Sequence, residues 1–232
     1  MELKQNIQAV LDKIAAAARA AGRDPAEITL CAATKVQTDD TIRAAIAAGL
    51  RVCGENRVQE LTAHLEADAY AGAEEVHFIG HLQTNKVKQV VGRVDLIQSV
   101  DSERLLRAID SQAARLGLVQ DILLEVNIGE EDAKSGFAPA DIFAAAEYAL
   151  TKEHVRVCGL MTIPPFDADR DTNIQYFNKV RALYVDINEK LFHNELKCLS
   201  MGMSGDYEDA IRCGATMVRV GTAIFGARNY NL

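Results

Sequence analysis

The chain has 232 residues, 33 acidic against 25 basic side chains, a formal charge of −8, five cysteines and no tryptophan. Apolar residues make up 49%, enough for a sizeable core, which excludes wholesale disorder. No apolar run approaches the roughly 18 residues needed to span a bilayer, and the acidic balance opposes nucleic acid and anionic membrane surfaces as partners. The amino-terminal stretch MELKQNIQAVLDKIAAAARAAGR mixes charges into an apolar pattern and reads as an amphipathic helix, not a secretory leader. Cys31, Cys53, Cys158, Cys198 and Cys213 are odd in number and form no CxxC pair, so they read as buried thiols in a reducing compartment, the cytoplasm by default.

After the first helix, short apolar runs fall at 28–33, 50–53, 76–79, 94–98, 122–126, 155–160, 197–200 and 216–220. Helical patterns lie between them at 39–48, 58–67, 84–91, 102–116, 139–151, 172–191 and 207–213. Thr38-Asp39-Asp40, Asp101-Ser102-Glu103 and Ser204-Gly205-Asp206 supply helix-start chemistry, and Gly22, Gly49, Gly117 and Gly214 supply stops. Continuous apolar runs, without strict alternation, suit strands buried on both faces of a parallel sheet. A doubly wound open sheet also fits the alternation, but eight regular units after one extra helix favour closure. The expectation is an α/β fold, a (β/α)8 TIM barrel with an additional N-terminal helix, forming one domain over 1–232 with no linker dividing it.

A barrel of this kind carries its chemistry at the carboxyl ends of its strands. The first strand ends Ala32-Ala33-Thr34-Lys35-Val36. An amine aimed into the barrel mouth is partly desolvated, which favours the neutral nucleophilic form; taken alone, Lys35 also reads as a strand-end lysine reaching solvent. Two glycine-rich segments, 199–206 and 218–226, fall after strands seven and eight, where barrels commonly hold phosphate on backbone N–H groups. Arg219 lies inside the eighth strand between two valines, where a cation needs an acceptor, either a structural carboxylate or a ligand atom. Strands one and eight are neighbours in a closed barrel, so a lysine, a phosphate cradle and an arginine converge. That constellation suits pyridoxal phosphate (PLP), with Lys35 on the aldehyde carbon, the glycine loops on the phosphate and Arg219 at the ring nitrogen. A fixed cation there disfavours the pyridinium and weakens the ring as an electron sink.

Lys35 after its apolar strand, GENRVQE (54–60), HFIGHLQTNK (77–86), GLMTI (159–163), LSMGMSGDYEDAI (199–211) and VRVGTAIFG (218–226) together resemble the pyridoxal phosphate homeostasis protein family, itself similar to the barrel domain of alanine racemase. The likeness runs in order from about residue 28 to 228. It implies a fold-type III barrel with PLP as a Schiff base on Lys35. It also implies phosphate contacts from Ser200, Met201, Gly202 and Ser204 and from Gly221 and Thr222, with Arg219 at the pyridine nitrogen. Asn56 and Met161 would lie beside the cofactor. The family often carries a second lysine and a proline just after the first lysine, where this chain reads Val36-Gln37-Thr38; Lys35 is thus the one candidate at that place. Lys134, in the loop 129–136, is the other lysine near the expected mouth and reads as a solvated loop residue.

Other residues carry weaker signals. His77 and His81 have the four-residue spacing of a helical metal pair, but a strand end separates them and no third ligand follows, so no metal site is expected. Glu125 and Asn127 end the fifth strand, facing the mouth or serving a structural hydrogen bond. Ser200 and Ser204 have no His/Asp partners evident for nucleophilic catalysis, and Glu130-Glu131-Asp132 reads as a solvated loop.

Two functions compete. One is a PLP-binding carrier in vitamin B6 and amino/keto-acid balance, a monomer that binds PLP and amino acids and delivers the cofactor to PLP-dependent apoenzymes. The other is a PLP-dependent amino-acid racemase. Racemization needs acid–base groups on both faces of the cofactor, one of which alanine racemases supply with help from a second domain and a dimer partner; the sequence here closes with strand eight and a short tail, so the carrier is favoured. A sugar-phosphate isomerase or aldolase would use the same lysine and phosphate site and would require a general acid among the mouth carboxylates.

Overall fold

The computed structural model describes residues 2–131 and 135–226, so Lys134 and the tail 227–232 lie outside the described residues. Eight strands run β1 (Thr29–Ala33), β2 (Val52–Glu55), β3 (Glu75–Phe78), β4 (Leu96–Val100), β5 (Gln120–Val126), β6 (Val155–Thr162), β7 (Cys198–Ser200) and β8 (Met217–Val220). Each pairs in parallel with the next, and β8 closes onto β1 with Cys31 opposite Arg219. The expected TIM barrel is the observed fold. The helices are α1 (Glu2–Ala20), α2 (Asp39–Ala47), α3 (Val58–Glu66), α4 (Glu103–Leu116), α5 (Ile142–Leu150), α6 (Arg170–Phe192), α7 (Tyr207–Arg212) and α8 (Thr222–Phe225).

Local chemistry sets these boundaries. The Ser102 hydroxyl accepts the N–H of Leu105 at the start of α4, and Gly117 closes that helix in the left-handed conformation at φ +67°. Thr38 and Asp169 cap α2 and α6 in the same way. The additional helix α1 buries Ile7, Val10, Ile14 and Ala17 against α7 and α8. Just beyond it, the Arg23 guanidinium donates to the carbonyls of Ile211 and Ala215 at 3.0 and 2.7 Å, tying the chain start to the end of the barrel.

The core has two parts. Most apolar side chains pack between the strands and the surrounding helices. Inside the barrel, Cys31, Val52, Leu96, Leu123, Met161 and Met217 form a smaller cluster, which fills its base as a packed interior.

Several expectations need correction. The segment 84–91, expected as an α-helix, is a 3₁₀ helix over Thr84–Gln89 followed by turns. Val87, Val90 and Val91 are β-branched and lower the segment's α-helical propensity, and Gly92 at φ +75° turns the chain toward β4. The helix expected from 139 begins at Ile142, since 139–141 form a turn. Only Cys31 and Cys53 are buried; Cys158, Cys198 and Cys213 are partly exposed. Cys158 is the extra residue of a bulge, because Ile122 pairs with Val157 while Leu123 pairs with Gly159.

That bulge brings β6 unusually close to β7. A Cβ on Gly159 would lie 1.6 Å from the carbonyl oxygen of Cys198, so no side chain fits without separating the strands. Gly159→Ala is expected to destabilise the barrel by about 3 kcal/mol. Urea unfolding would read this as a lower midpoint at unchanged slope; a midpoint within error of wild type would show that β6 and β7 can part at little cost.

Candidate functional site

Beyond the end of β1, Thr34, Lys35, Val36 and Gln37 make a tight turn closed by the Gln37 N–H donating to the Thr34 carbonyl at 3.1 Å. Val36 occupies the left-handed region at φ +62°, an uncommon place for a β-branched residue, costing on the order of 1–3 kcal/mol. The Glu60 carboxylate on α3 holds the turn there by accepting the Val36 N–H at 2.8 Å. Lys35 is half-buried and points its residue into the cavity at the carboxyl end of the barrel.

Arg219 reaches the same cavity from β8, and a chain of hydrogen bonds across the barrel interior fixes it. Its Nη1 donates to Ser200 Oγ at 2.6 Å, and its Nη2 donates to the Thr162 carbonyl at 2.8 Å. Ser200 Oγ in turn donates to Gln98 Oε1 at 2.7 Å, and Gln98 Nε2 donates to His77 Nδ1 at 2.9 Å. His77 Nε2 then donates to the Glu75 carboxylate at 2.7 Å, which holds that carboxyl below its ordinary range. Five strands contribute to this chain. Burial pulls the pKa of Arg219 down, yet a guanidinium starts so high that it stays charged. The acceptors are a hydroxyl and a carbonyl, so the structural carboxylate considered from the sequence is not in contact.

The cavity measures about 630 Å³ and is lined by Lys35, Asn56, Gly80, Ser99, Glu125, Ser204, Arg219, Gly221 and Thr222, with Met203 and the fully exposed Phe166 among its apolar lining residues. The loops after β7 and β8 are joined where the Gly221 N–H donates to Ser204 Oγ at 3.3 Å. Within the first loop the Met203 N–H donates to the Asp206 carboxylate at 2.6 Å. Asn56 is pressed into place by the loop after β3: a Cβ on Gly80 would meet the Asn56 carbonyl oxygen at 2.1 Å, so only glycine allows the approach. The Asn56 Oδ1 is buried and has no hydrogen-bond partner among the described residues. Burial, with the charge of Asp101 added, pushes the Glu125 carboxyl up to about 7 against the opposing pull of Arg219.

Six of the ten positions singled out in the sequence line this cavity: Lys35, Asn56, Ser204, Arg219, Gly221 and Thr222. Met161, Ser200, Met201 and Gly202 lie behind it, fully or almost fully buried. Met161 packs in the barrel interior, and the Ser200 hydroxyl is engaged by Gln98 and Arg219. His77 and His81 part company: the first lies inside the barrel, and the second bonds Asp101 at the surface. Glu125 faces the cavity, whereas Asn127 braces the following loop through the Glu131 carbonyl. Glu130 pairs with Lys179 on α6. The central residue that sequence reasoning missed is Gln98. Its signal was a lone amide in the apolar run Leu96-Ile97-Gln98-Ser99-Val100, on a strand covered on both sides.

Residues 5–229 match the alanine racemase N-terminal domain family. A pyridoxal phosphate homeostasis protein from Aquifex aeolicus is 42% identical over 230 residues, covering 99% of this chain and 100% of that protein. Among solved structures, a protein of unknown function from Bifidobacterium adolescentis superposes with a TM-score of 0.90 at 40% identity, covering 97% of this chain and 94% of the other. PipY from Synechococcus elongatus, solved with PLP bound, superposes with a TM-score of 0.83 at 31% identity, covering 97% and 100%. With near-complete coverage in both directions, the chain belongs to the alanine racemase N-terminal domain family and, within it, to the pyridoxal phosphate homeostasis proteins.

Proposed function

We propose that this protein binds PLP at the barrel mouth and acts as a carrier in vitamin B6 and amino/keto-acid balance. The observation that carries the reading is the convergence of Lys35, Arg219 and two linked small-residue loops on one cavity at the carboxyl end of the strands. The residues fit the group. Lys35 would hold the cofactor's aldehyde carbon through its Nζ. Ser204, Gly221 and Thr222 receive the phosphate, and the unsatisfied Asn56 Oδ1 offers an acceptor beside the ring. PLP bound there supplies an electrophilic carbon to incoming amines and a ring that takes up electron density.

Arg219 weighs toward the carrier, although an arginine at that place is also compatible with a racemase. Held by Ser200 and Thr162, it would present a permanent positive charge to a bound cofactor, which would disfavour protonation of the ring and weaken it as an electron sink. The homeostasis names of the relatives support the same side. We place the protein in the cytoplasm as a monomer that passes PLP to PLP-dependent apoenzymes. Free thiols and, among the described residues, the lack of any helix long and apolar enough to cross a membrane accord with that place.

The purified protein should show an absorption band near ~420 nm, the signature of a lysine-bound PLP. Lys35→Ala should abolish the band, and borohydride should fix a pyridoxyl mass on Lys35. Failure to acquire the band after PLP is added would sink the reading. Rapid exchange of the alanine α-proton in D₂O would instead favour a racemase.

Glu125 gives a pH test on PLP-free protein. Its folded value of about 7 lies above the ordinary 4.5, so the folded state favours the neutral acid. Stability from this group is complete below the unfolded value and is lost as pH rises through about 7. Glu125→Gln, which cannot ionise, should therefore gain up to about 3 kcal/mol relative to wild type between pH 5 and pH 8. Thermal melts at both pH values check the sign; an equal difference at both would show that Glu125 ionises freely.

A further inference from the structure

Beneath the Lys35 turn lies a second polar cluster that the mouth does not use. Glu55 ends β2, while Glu60 and His64 stand four residues apart on one face of α3. One ligand atom from each of the three lies within 4.8 Å of the others. The Asp39 carboxylate accepts the Nδ1–H of His64 at 2.6 Å, which leaves Nε2 as the lone-pair nitrogen. That second-sphere arrangement is the one that orients metal-binding imidazoles.

The His64 side chain is nine-tenths buried, and its Nε2 has no hydrogen-bond partner among the described residues. Glu55 Oε2, another acceptor, lies 4.0 Å from it. Glu55 is wholly buried: its Oε1 accepts the Asn56 N–H at 2.7 Å, and its Oε2, which also accepts a long 3.5 Å bond from the Thr34 hydroxyl, lies toward the imidazole. A proton on either group would not turn a 4.0 Å gap into a hydrogen bond. Two lone pairs and a second carboxylate, itself paired with Arg57 at 3.1 Å, meet around one small space, and a cation between them removes the remaining repulsion.

We propose that Glu55, Glu60 and His64 bind one divalent cation of the zinc class. One imidazole and two carboxylates suit zinc or cobalt, whereas magnesium and calcium prefer oxygen ligands throughout. Ligands at about 2.0–2.1 Å from a tetrahedral ion stand roughly 3.3 Å apart, so small side-chain rotations close the site. Glu60 also holds the Val36 N–H, so the ion braces the turn that carries Lys35. The site does not depend on whether Lys35 carries PLP, and its test does not read PLP.

The full chain is titrated with Co²⁺, with Zn²⁺ as competitor and Mg²⁺ as control. The expected result is one equivalent of Co²⁺ with visible d–d bands, no thiolate charge-transfer band, displacement by Zn²⁺ and indifference to Mg²⁺. Glu60→Gln and His64→Gln should each weaken binding at least tenfold, with circular dichroism confirming the fold. X-ray absorption of the zinc-loaded wild type needs no variant: it should show nitrogen and oxygen at about 2.0–2.1 Å. A sulfur shell near about 2.3 Å would place the metal on cysteines and overturn the proposal. Absence of saturable binding would do the same, leaving a bridging water as the occupant.

Discussion

A guanidinium cannot shed its charge, so a barrel that buries one must be built around its acceptors. Arg219 lies almost wholly inside the strands, and an unpaired cation there would be among the costliest features a core can contain. The answer is a relay of hydrogen bonds through Ser200, Gln98 and His77 that ends on the Glu75 carboxylate. Each member is a polar residue on a strand otherwise given over to packing. A slip of one residue in any of these strands would turn its member outward and break the relay. The same bonds that solve the burial problem thus pin the barrel register and aim the cation at the mouth.

The turn after β1 answers to a similar constraint. Lys35 is presented at the mouth by a backbone conformation that Val36 adopts at a cost, held by a carboxylate from the neighbouring helix. Strain of this kind survives only where surrounding contacts over-determine it. Glu60 therefore belongs to the site although it does not face the cavity. Together the two devices give a fixed floor beneath loops of small residues.

The fold was legible because strand-like and helix-like periods alternate through eight apolar runs and because strand-buried runs are continuously apolar. Lys35 and Arg219 were legible for a related reason: a charge in or at the end of an apolar run has few structural excuses. Ser200, Met201 and Gly202 mark the limit of that reasoning. Proximity in sequence to a glycine-rich loop places a residue near the cavity, but not on its surface, and the alternation of a strand end turned Ser200 inward to Arg219. Gln98 escaped notice because its partners come from four other strands, a relation that no local pattern carries. The crossover after β3 misled for a different reason, since its valines satisfy an amphipathic period while disfavouring the α-helical backbone.

The bulk of the barrel also governs which nucleophiles an aldehyde would meet. All five thiols have their acidity suppressed, chiefly by burial: Cys53 and Cys198 up to about 12, Cys158 up to about 11, and Cys31 and Cys213 in the same direction. Thiolates add readily to aldehydes, and thiols far less so. Cys31 sits on the very strand that leads to Lys35, only four residues before it, yet it is locked in the protonated form within the barrel. Packing thereby acts as a chemical filter: the chain can carry sulfur throughout its sheet and still leave an electrophile at the mouth to nitrogen alone.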